Sequence, residues 1–157
     1  MQEIALDRYD ISILNILQQN CQVPRLELAE RVGLSSSQCF RRLKRLEDVG
    51  IIERYAAVLN REKAGMDVSV AMMVQYRKSE VNAREKTIQL IEQTPVIYEC
   101  FSVTGEYDFL LRVYCKTMKE FNTLVNETFQ TSFISGLHSY MLMSCIKDAP
   151  VLTLSDD

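Results

Sequence analysis

The sequence has no tryptophan, a single histidine (His138), and no pair of cysteines in a C-x-x-C arrangement. An odd number of cysteines cannot pair completely within one chain, and one histidine leaves few ligands for zinc. We therefore expect neither a disulfide framework nor a metal site, and the cysteines should stay reduced in a cytoplasmic protein. The five cysteines are Cys21, Cys39, Cys100, Cys115 and Cys145.

Long apolar runs are also missing. No stretch reaches the roughly 18 apolar residues that a membrane span needs, and Met1-Gln2-Glu3 offers no basic region followed by an apolar block. We expect no membrane partner, no secretory signal and a cytoplasmic location. The 157 residues, 47% hydrophobic and 25% charged, are typical of a globular protein with one ordinary domain or two small ones.

A strong positive charge is absent as well. The net charge of −3 argues against a protein that coats nucleic acid indiscriminately. Positive charge is concentrated locally, because residues 36–48 carry four basic side chains and two acidic ones, and the acids come last. If this segment contacts phosphates, its binding should depend strongly on salt.

The same segment shows clear helix boundaries. Ser35 is a suitable N-cap, and Gln38 three residues later completes a capping-box pattern. Gly50 can adopt the left-handed conformation that ends a helix. Between these ends one face is apolar and the opposite face is basic. The apolar stripe consists of Cys39, Leu43 and Leu46, with Phe40 beside it.

A second short helix is predicted just upstream, over residues 24–32, with Gly33 after its end. Two short helices joined by residues 33–35 match the helix-turn-helix signature, whose second helix enters the DNA major groove. A solvated basic face on an ordinary helix is the alternative, but the preceding helix and the tight turn favour DNA recognition. The candidate DNA contacts are Ser36, Ser37, Gln38, Arg41, Arg42, Lys44 and Arg45.

Segments on either side complete this unit. Asp7 is a candidate N-cap for a first helix, which should complete a three-helix core. Residues 51–59 are rich in β-formers and predict a strand-like arm, a wing from which Arg54 either touches a phosphate or stays solvated. Residues 60–65 read as a helical turn or linker that ends at Gly65.

A second unit follows, with the order β-α-β-β-α-β of the ferredoxin-like fold. Such a sheet carries its helices on one face, and an uncovered apolar face predicts a second copy as partner. The predicted strands are 68–76, 96–103, 107–115 and 138–145, the last beginning nearer Phe133, and the helices are 82–93 and a segment capped by Thr117. The expected open-face residues are Met72 or Met73, Phe101, Leu111 and Met143.

Four sequence segments together resemble one family: Leu6–Asp10, Leu28–Ser35, Arg41–Glu47 with Gly50-Ile51-Ile52, and Gly105–Leu111. The chain resembles the Lrp/AsnC (leucine-responsive, feast/famine) transcriptional regulators from Leu6 to about Lys147, whereas the tail 148–157 departs from them. The expected fold class is α+β: a winged helix-turn-helix domain (1–50), a strand-containing linker (51–66) and a ferredoxin-like, RAM/ACT-like domain (67–157).

The resemblance implies dimerisation through the C-terminal sheets, further assembly into octamers, and an amino acid effector bound between dimers. Gly105 would let the backbone approach a ligand, and Asp108 can accept from an α-ammonium group. Alternatively, Gly105 only makes the hairpin turn and Asp108 caps it. The candidate effector residues are Thr104, Gly105, Glu106, Tyr107, Asp108 and Ser139, where the family often has Ser or Thr facing the same pocket.

The predicted function is a sequence-specific transcriptional regulator, a dimer or higher oligomer, that binds double-stranded DNA and responds to an amino acid. A ligand-independent protein that wraps DNA is one alternative. An enzyme on the ferredoxin-like domain is another, and one histidine without an acid/base constellation or a phosphate-binding glycine loop argues against it. No cofactor is expected.

Overall fold

The computed structural model describes residues 5–147 and 151–154. The N-terminal residues considered for a leader, and most of the tail from residue 148, lie outside these ranges. No helix in the described part is long and apolar enough to span a membrane. The helices are α1 (Arg8–Gln19), α2 (Arg25–Val32), α3 (Ser36–Asp48), α4 (Ala83–Glu92) and α5 (Met118–Thr123), which continues as a π-helical turn over Leu124–Thr128. The strands are β1 (Val68–Tyr76), β2 (Ile97–Ser102), β3 (Phe109–Cys115) and β4 (Ile134–Met141).

The chain forms two units. The helical unit extends to Val58 and includes Lys147 and residues 151–154, and the sheet unit runs from Leu59 to Ile146. The predicted division instead placed residues 51–66 in a linker and the whole tail with the sheet. Gln18 holds the tail to α1, since its Nε2 donates to Leu152 O at 3.2 Å and its Oε1 accepts from Leu152 N at 2.7 Å.

Three helices pack around one apolar core in the helical unit, with Ile13, Leu28 and Leu46 almost fully buried. Both predicted N-caps are present as capping boxes, because Asp7 is paired with Asp10 and Ser35 with Gln38. Gly33 (φ +71°) ends α2, and Gly50 (φ +76°) follows the end of α3. The predicted three-helix arrangement is thus confirmed.

The predicted strand over residues 51–59 does not form. Ile51 and Ile52 instead pack against the helical core, and Ile52 N donates to Leu46 O at 3.1 Å. Val58 is 78% exposed. A strand needs a neighbour to pair with, and no other described segment forms strand hydrogen bonds with this one, so β-propensity alone was insufficient. The predicted arm is therefore not a strand within the described residues.

The sheet unit confirms the β-α-β-β-α-β order. Its four strands are all antiparallel, in the spatial order β2-β3-β1-β4. Alternate residues of β1 and β3 line one face, where Val70 pairs with Val113 and Met72 with Leu111. These side chains are fully buried with residues of α4, α5 and the π-helical turn, so the helices cover this face.

Two features of the sheet differ from prediction. Of the candidates for the open face, Met72 and Leu111 are completely buried under the helices, whereas Met73, the stated alternative to Met72, occupies the open face together with Leu110. An alternating strand fixes which residues share a face but not which face is covered. The last strand, Ile134–Met141, begins near Phe133 as expected but ends before the predicted residue 145, because its pairing with β1 ends where Met141 meets Val70.

Candidate nucleic-acid interface and effector loop

The first turn of α3 is exposed and well capped. Gln38 N donates to Ser35 Oγ at 3.3 Å, and Gln38 Oε1 accepts from Ser35 N at 3.2 Å. Ser36 and Ser37 are exposed beside this cap. The cap fixes the backbone at the end of α3 that a helix-turn-helix directs toward base edges.

Arg41 and Lys44 are exposed on α3. Three residues apart on a helix, they project from neighbouring positions on its surface. Neither side chain forms an ion pair or hydrogen bond to any residue in the described part of the chain. Both positive charges are therefore available to an external anion.

The other two cations of α3 turn toward α1. Arg42 Nη1 lies 2.7 Å from Asp7 Oδ2 and 2.9 Å from Asp10 Oδ1, and Arg45 Nη2 lies 2.8 Å from Asp10 Oδ2. Asp10 is only 1% exposed, while Arg42 also stacks over the Tyr9 ring at 5.2 Å. Arg42 and Arg45 thus serve first as partners of a buried carboxylate.

These contacts shift two pKa values. The Asp10 amide, helped by the Arg42 guanidinium, holds the pKa of Asp7 below its ordinary value. The hydrogen bond to Asp7 raises the pKa of Arg42. Both groups therefore stay charged across the physiological pH range. A shallow depression beside them is lined by Asp7, Arg41, Arg42 and Arg45.

The role of Asp10 was missed at the sequence level, although a signal was present. Ile13 and Leu17 lie on the core-facing side of α1, and Asp10 falls on the same side. A carboxylate on the buried stripe of a helix requires a cationic or hydrogen-bonding partner. The arginines of α3 were the available cationic partners for this carboxylate.

The loop between β2 and β3 is tied to β1. Asp108 N donates to Val74 O at 3.0 Å, and Asp108 Oδ2 accepts from Tyr76 N at 3.1 Å. The Asp108 carboxylate therefore extends the pairing of β1 with β3 by one further bond. Gly105 has φ +122°, a conformation that favours glycine. Its exposed backbone leaves room for a ligand.

Gln75, at the end of β1, also holds this loop and was not foreseen. Its Nε2 donates to Glu106 O at 2.8 Å, and Ser135 Oγ donates to Gln75 O at 3.2 Å. A Cβ at Gly136 would lie 3.2 Å from Gln75 Oε1, so glycine makes room for this side chain. A polar residue on the open face of β1, after Ala71 and Met73, was the available signal.

The candidate effector residues are only partly brought together within one chain. Thr104 and Glu106 are exposed in the loop, and the Tyr107 ring lies 6.4 Å from the His138 ring between centroids. Ser139 pairs with Met72 and therefore shares the helix-covered face, whereas His138 pairs with Met73 on the open face. The loop adjoins His138 rather than Ser139.

Comparison with known proteins identifies both units. Residues 6–53 match the model of winged helix-turn-helix DNA-binding domains, and residues 69–152 match the model of the Lrp/AsnC ligand-binding domain. The chain belongs to the Lrp/AsnC family. The first match includes residues 51–53, where this Lrp/AsnC chain forms no strand.

Named relatives agree over nearly the whole length. The leucine-responsive regulatory protein of Haemophilus influenzae is 32% identical, over 96% of this chain and 91% of that protein. Transcriptional regulator AzlB of Bacillus subtilis is 29% identical, over 92% of each chain. A regulator from Neisseria meningitidis, solved in complex with L-Met, is 37% identical with a TM-score of 0.90, covering 95% of this chain and 97% of that one.

The structure of Escherichia coli AsnC supports the fold alone, with a TM-score of 0.84 at 20% identity over 93% of this chain and 97% of that one. Together the domains and relatives show that this Lrp/AsnC chain is a transcriptional regulator with a helix-turn-helix DNA-binding domain and a ligand-binding domain. The predicted function class is confirmed, and the enzyme alternative is not supported because the relatives are regulators.

Proposed function

We propose that this regulator binds a specific, pseudo-palindromic DNA site as a homodimer and that an amino acid bound at its sheet unit changes that binding. The observation that carries the DNA part is the pair of exposed, uncompensated cations Arg41 and Lys44 beside the capped first turn of α3. Its relatives are bacterial regulators and its helical unit is a DNA-binding domain, so we propose the cytoplasm as its location.

In this proposal the residues of α3 have different roles in DNA binding. Ser36, Ser37 and Gln38 approach base edges from the first turn, while Arg41 and Lys44 bind a guanine edge or phosphates. Arg42 and Arg45, which the sequence grouped with them, start from ion pairs with α1. The contribution of Arg42 and Arg45 to DNA binding is therefore less direct.

An amino acid is the proposed ligand of the sheet unit. The Neisseria regulator, 37% identical, has been solved with L-Met, and the present chain carries a loop whose features suit an amino acid. Exposed backbone at Gly105 can meet a carboxylate. Asp108 binds Tyr76 N through Oδ2 alone, and its other oxygen can accept from an α-ammonium group.

We propose that a second copy of this chain covers the open face of the sheet. Phe101 and Tyr140 are 49% and 54% exposed, and both lie on the face opposite the helices. Exposed apolar side chains grouped on one sheet face favour self-association. A dimer would present two α3 helices to half-sites spaced by whole helical turns, and octamers would bring effector loops of different dimers together.

Calorimetry against the twenty amino acids, with methionine and leucine first, tests the effector part. Asp108→Asn keeps an acceptor for Tyr76 N but removes the negative charge, so we expect it to abolish the heat seen with the wild-type protein. Asp67→Asn, an exposed acid elsewhere in the sheet unit, should leave the heat unchanged. No heat with any amino acid would favour a ligand-independent, DNA-wrapping protein.

The DNA part is tested on a duplex selected from a random library by the wild-type protein. Arg41→Gln and Lys44→Gln should each weaken binding by about 1–3 kcal/mol, roughly 5- to 150-fold. Lys119→Gln, an exposed lysine of α5, provides the charge-matched control. Unchanged affinity in both α3 variants would remove these side chains from the interface.

A further inference from the structure

Among the described residues of the helical unit, Asp10 is the most deeply buried charged side chain. It is 1% exposed and lies on the core-facing side of α1. Its Oδ1 is 2.9 Å from Arg42 Nη1 and its Oδ2 is 2.8 Å from Arg45 Nη2, so both carboxylate oxygens are paired. Oδ2 also accepts from Asp7 N at 3.3 Å, which completes the capping box of α1.

We infer that Asp10 is a positioning residue of the DNA-binding unit, which fixes α3 against α1 and withholds Arg42 and Arg45 from DNA phosphates, so that binding to non-specific DNA is limited. This inference rests on the proposed DNA-binding function. It assigns to two of the four α3 cations a role other than direct contact.

The charges support this assignment. A buried carboxylate that loses its cationic partners is strongly destabilising, so Asp10 competes with DNA for both guanidinium groups. Arg45 contacts no other acid within the described residues, whereas Arg42 also reaches Asp7 at 2.7 Å. Cations already neutralised by protein carboxylates release few counterions from DNA, and counterion release drives non-specific binding.

The geometry adds a positional role. Asp10 lies in the first turn of α1, and its two partners lie one turn apart on α3. Two short bonds from one buried carboxylate to Arg42 and Arg45 fix both the distance between these helices and the rotation of α3 about its own axis. That rotation determines that Arg41 and Lys44 face outward.

The test uses Asp10→Asn in the full chain and a 30-base-pair random-sequence duplex as probe. Affinity is measured by fluorescence anisotropy at several NaCl concentrations. Asparagine keeps the size but removes the negative charge that holds Arg45, whereas Arg42 keeps Asp7 as a partner. We therefore expect the plot of log K against log [NaCl] to steepen by about one, the value for one added phosphate contact. Binding at low salt should tighten accordingly.

Three further variants separate this effect from general charge and from misfolding. Glu127→Gln makes the same change of net charge at an exposed residue of the sheet unit and should leave the slope unchanged. Arg45→Gln should also leave the slope unchanged, because Arg45 is already occupied, while Asp10→Asn with Arg45→Gln should return the slope to the wild-type value. Circular dichroism verifies that each variant is folded.

Two results would overturn the inference: a folded Asp10→Asn protein with the wild-type slope, or an Arg45→Gln protein whose slope falls by about one. If Asp10→Asn does not fold, Arg45→Gln alone decides, since Arg42 remains on Asp10 in that variant. A wild-type protein that binds no duplex would count against the proposed function instead. The salt at which Asp10→Asn and wild type elute from heparin then decides the inference: later elution of the variant supports it, and equal elution overturns it.

Discussion

At the scale of single residues, Gly33 shows how one backbone conformation fixes the turn between α2 and α3. Its φ is +71°, and a Cβ placed there would meet no atom within 4 Å. A substitution at this position therefore introduces backbone strain without a steric clash.

Gly33→Ala should lower the free energy of unfolding by about 1 kcal/mol, because the left-handed backbone conformation is strained for alanine and not for glycine. Gly33→Asn should cost less, since asparagine tolerates this conformation better. Urea unfolding of the two variants measures the difference. Equal stability of alanine and glycine proteins would show that the turn relaxes to another conformation.

At the scale of elements, the segment after α3 is fixed by a side chain rather than by strand pairing. Tyr55 Oη donates to Glu47 Oε1 at 2.8 Å, which attaches this segment to the end of α3. Burial of the hydroxyl, together with this bond to the Glu47 carboxylate, raises the pKa of Tyr55 to about 12 from 10.0.

Because the folded-state pKa lies above the unfolded value, the stabilisation from Tyr55 is complete below about pH 10 and is lost as the pH rises through about 12. We expect wild-type stability to fall over this range more than that of Tyr55→Phe. Urea unfolding at pH 9 and pH 11 measures the two slopes. Parallel loss in both proteins would mean that Tyr55 ionises normally.

The elements also show which features are readable from sequence. The caps at Asp7 and Ser35 depend on residues three positions away, so local pattern was sufficient to predict them. The predicted strand over residues 51–59 depended on a partner strand that the described residues do not supply. The ion pairs of Asp10 join residues 32 and 35 positions apart, and helix periodicity carries no information about such a distance.

The loop between β2 and β3 was partly predictable for the same reason. A glycine with positive φ at residue 105 follows from turn chemistry. That Gln75 binds Glu106 O depends on the register of β1 against β3. That His138 rather than Ser139 adjoins Tyr107 depends on the register of β4 against β1. A register shift of one residue would exchange the two faces, and the sequence does not determine it alone.

At the scale of the whole molecule, the helical unit combines residues from two distant parts of the chain. The tail contributes backbone groups of Leu152 to Gln18, and Leu154 packs against the helical core while its oxygen accepts from Asn15 Nδ2 at 3.4 Å. The two leucines therefore play different parts, one through its backbone and the other through its side chain.

Leu154→Ala should lower the free energy of unfolding of the helical unit by about 1–2 kcal/mol, because this leucine is partly buried. Leu152→Ala should have little effect, because its side chain is 73% exposed and its bonds to Gln18 involve only backbone atoms. Calorimetric melting of both variants makes the comparison. If neither variant shifts the transition, the tail does not support the helices in solution.

The tail also sets an order of events during translation. A ribosome completes residues 5–58 well before it reaches residue 151, and roughly 90 residues at about 5–20 residues per second take several seconds. During that interval the helices of the nascent chain lack the bonds between the tail and Gln18 of α1. The helical unit therefore reaches its full set of contacts only after the sheet unit has been synthesised.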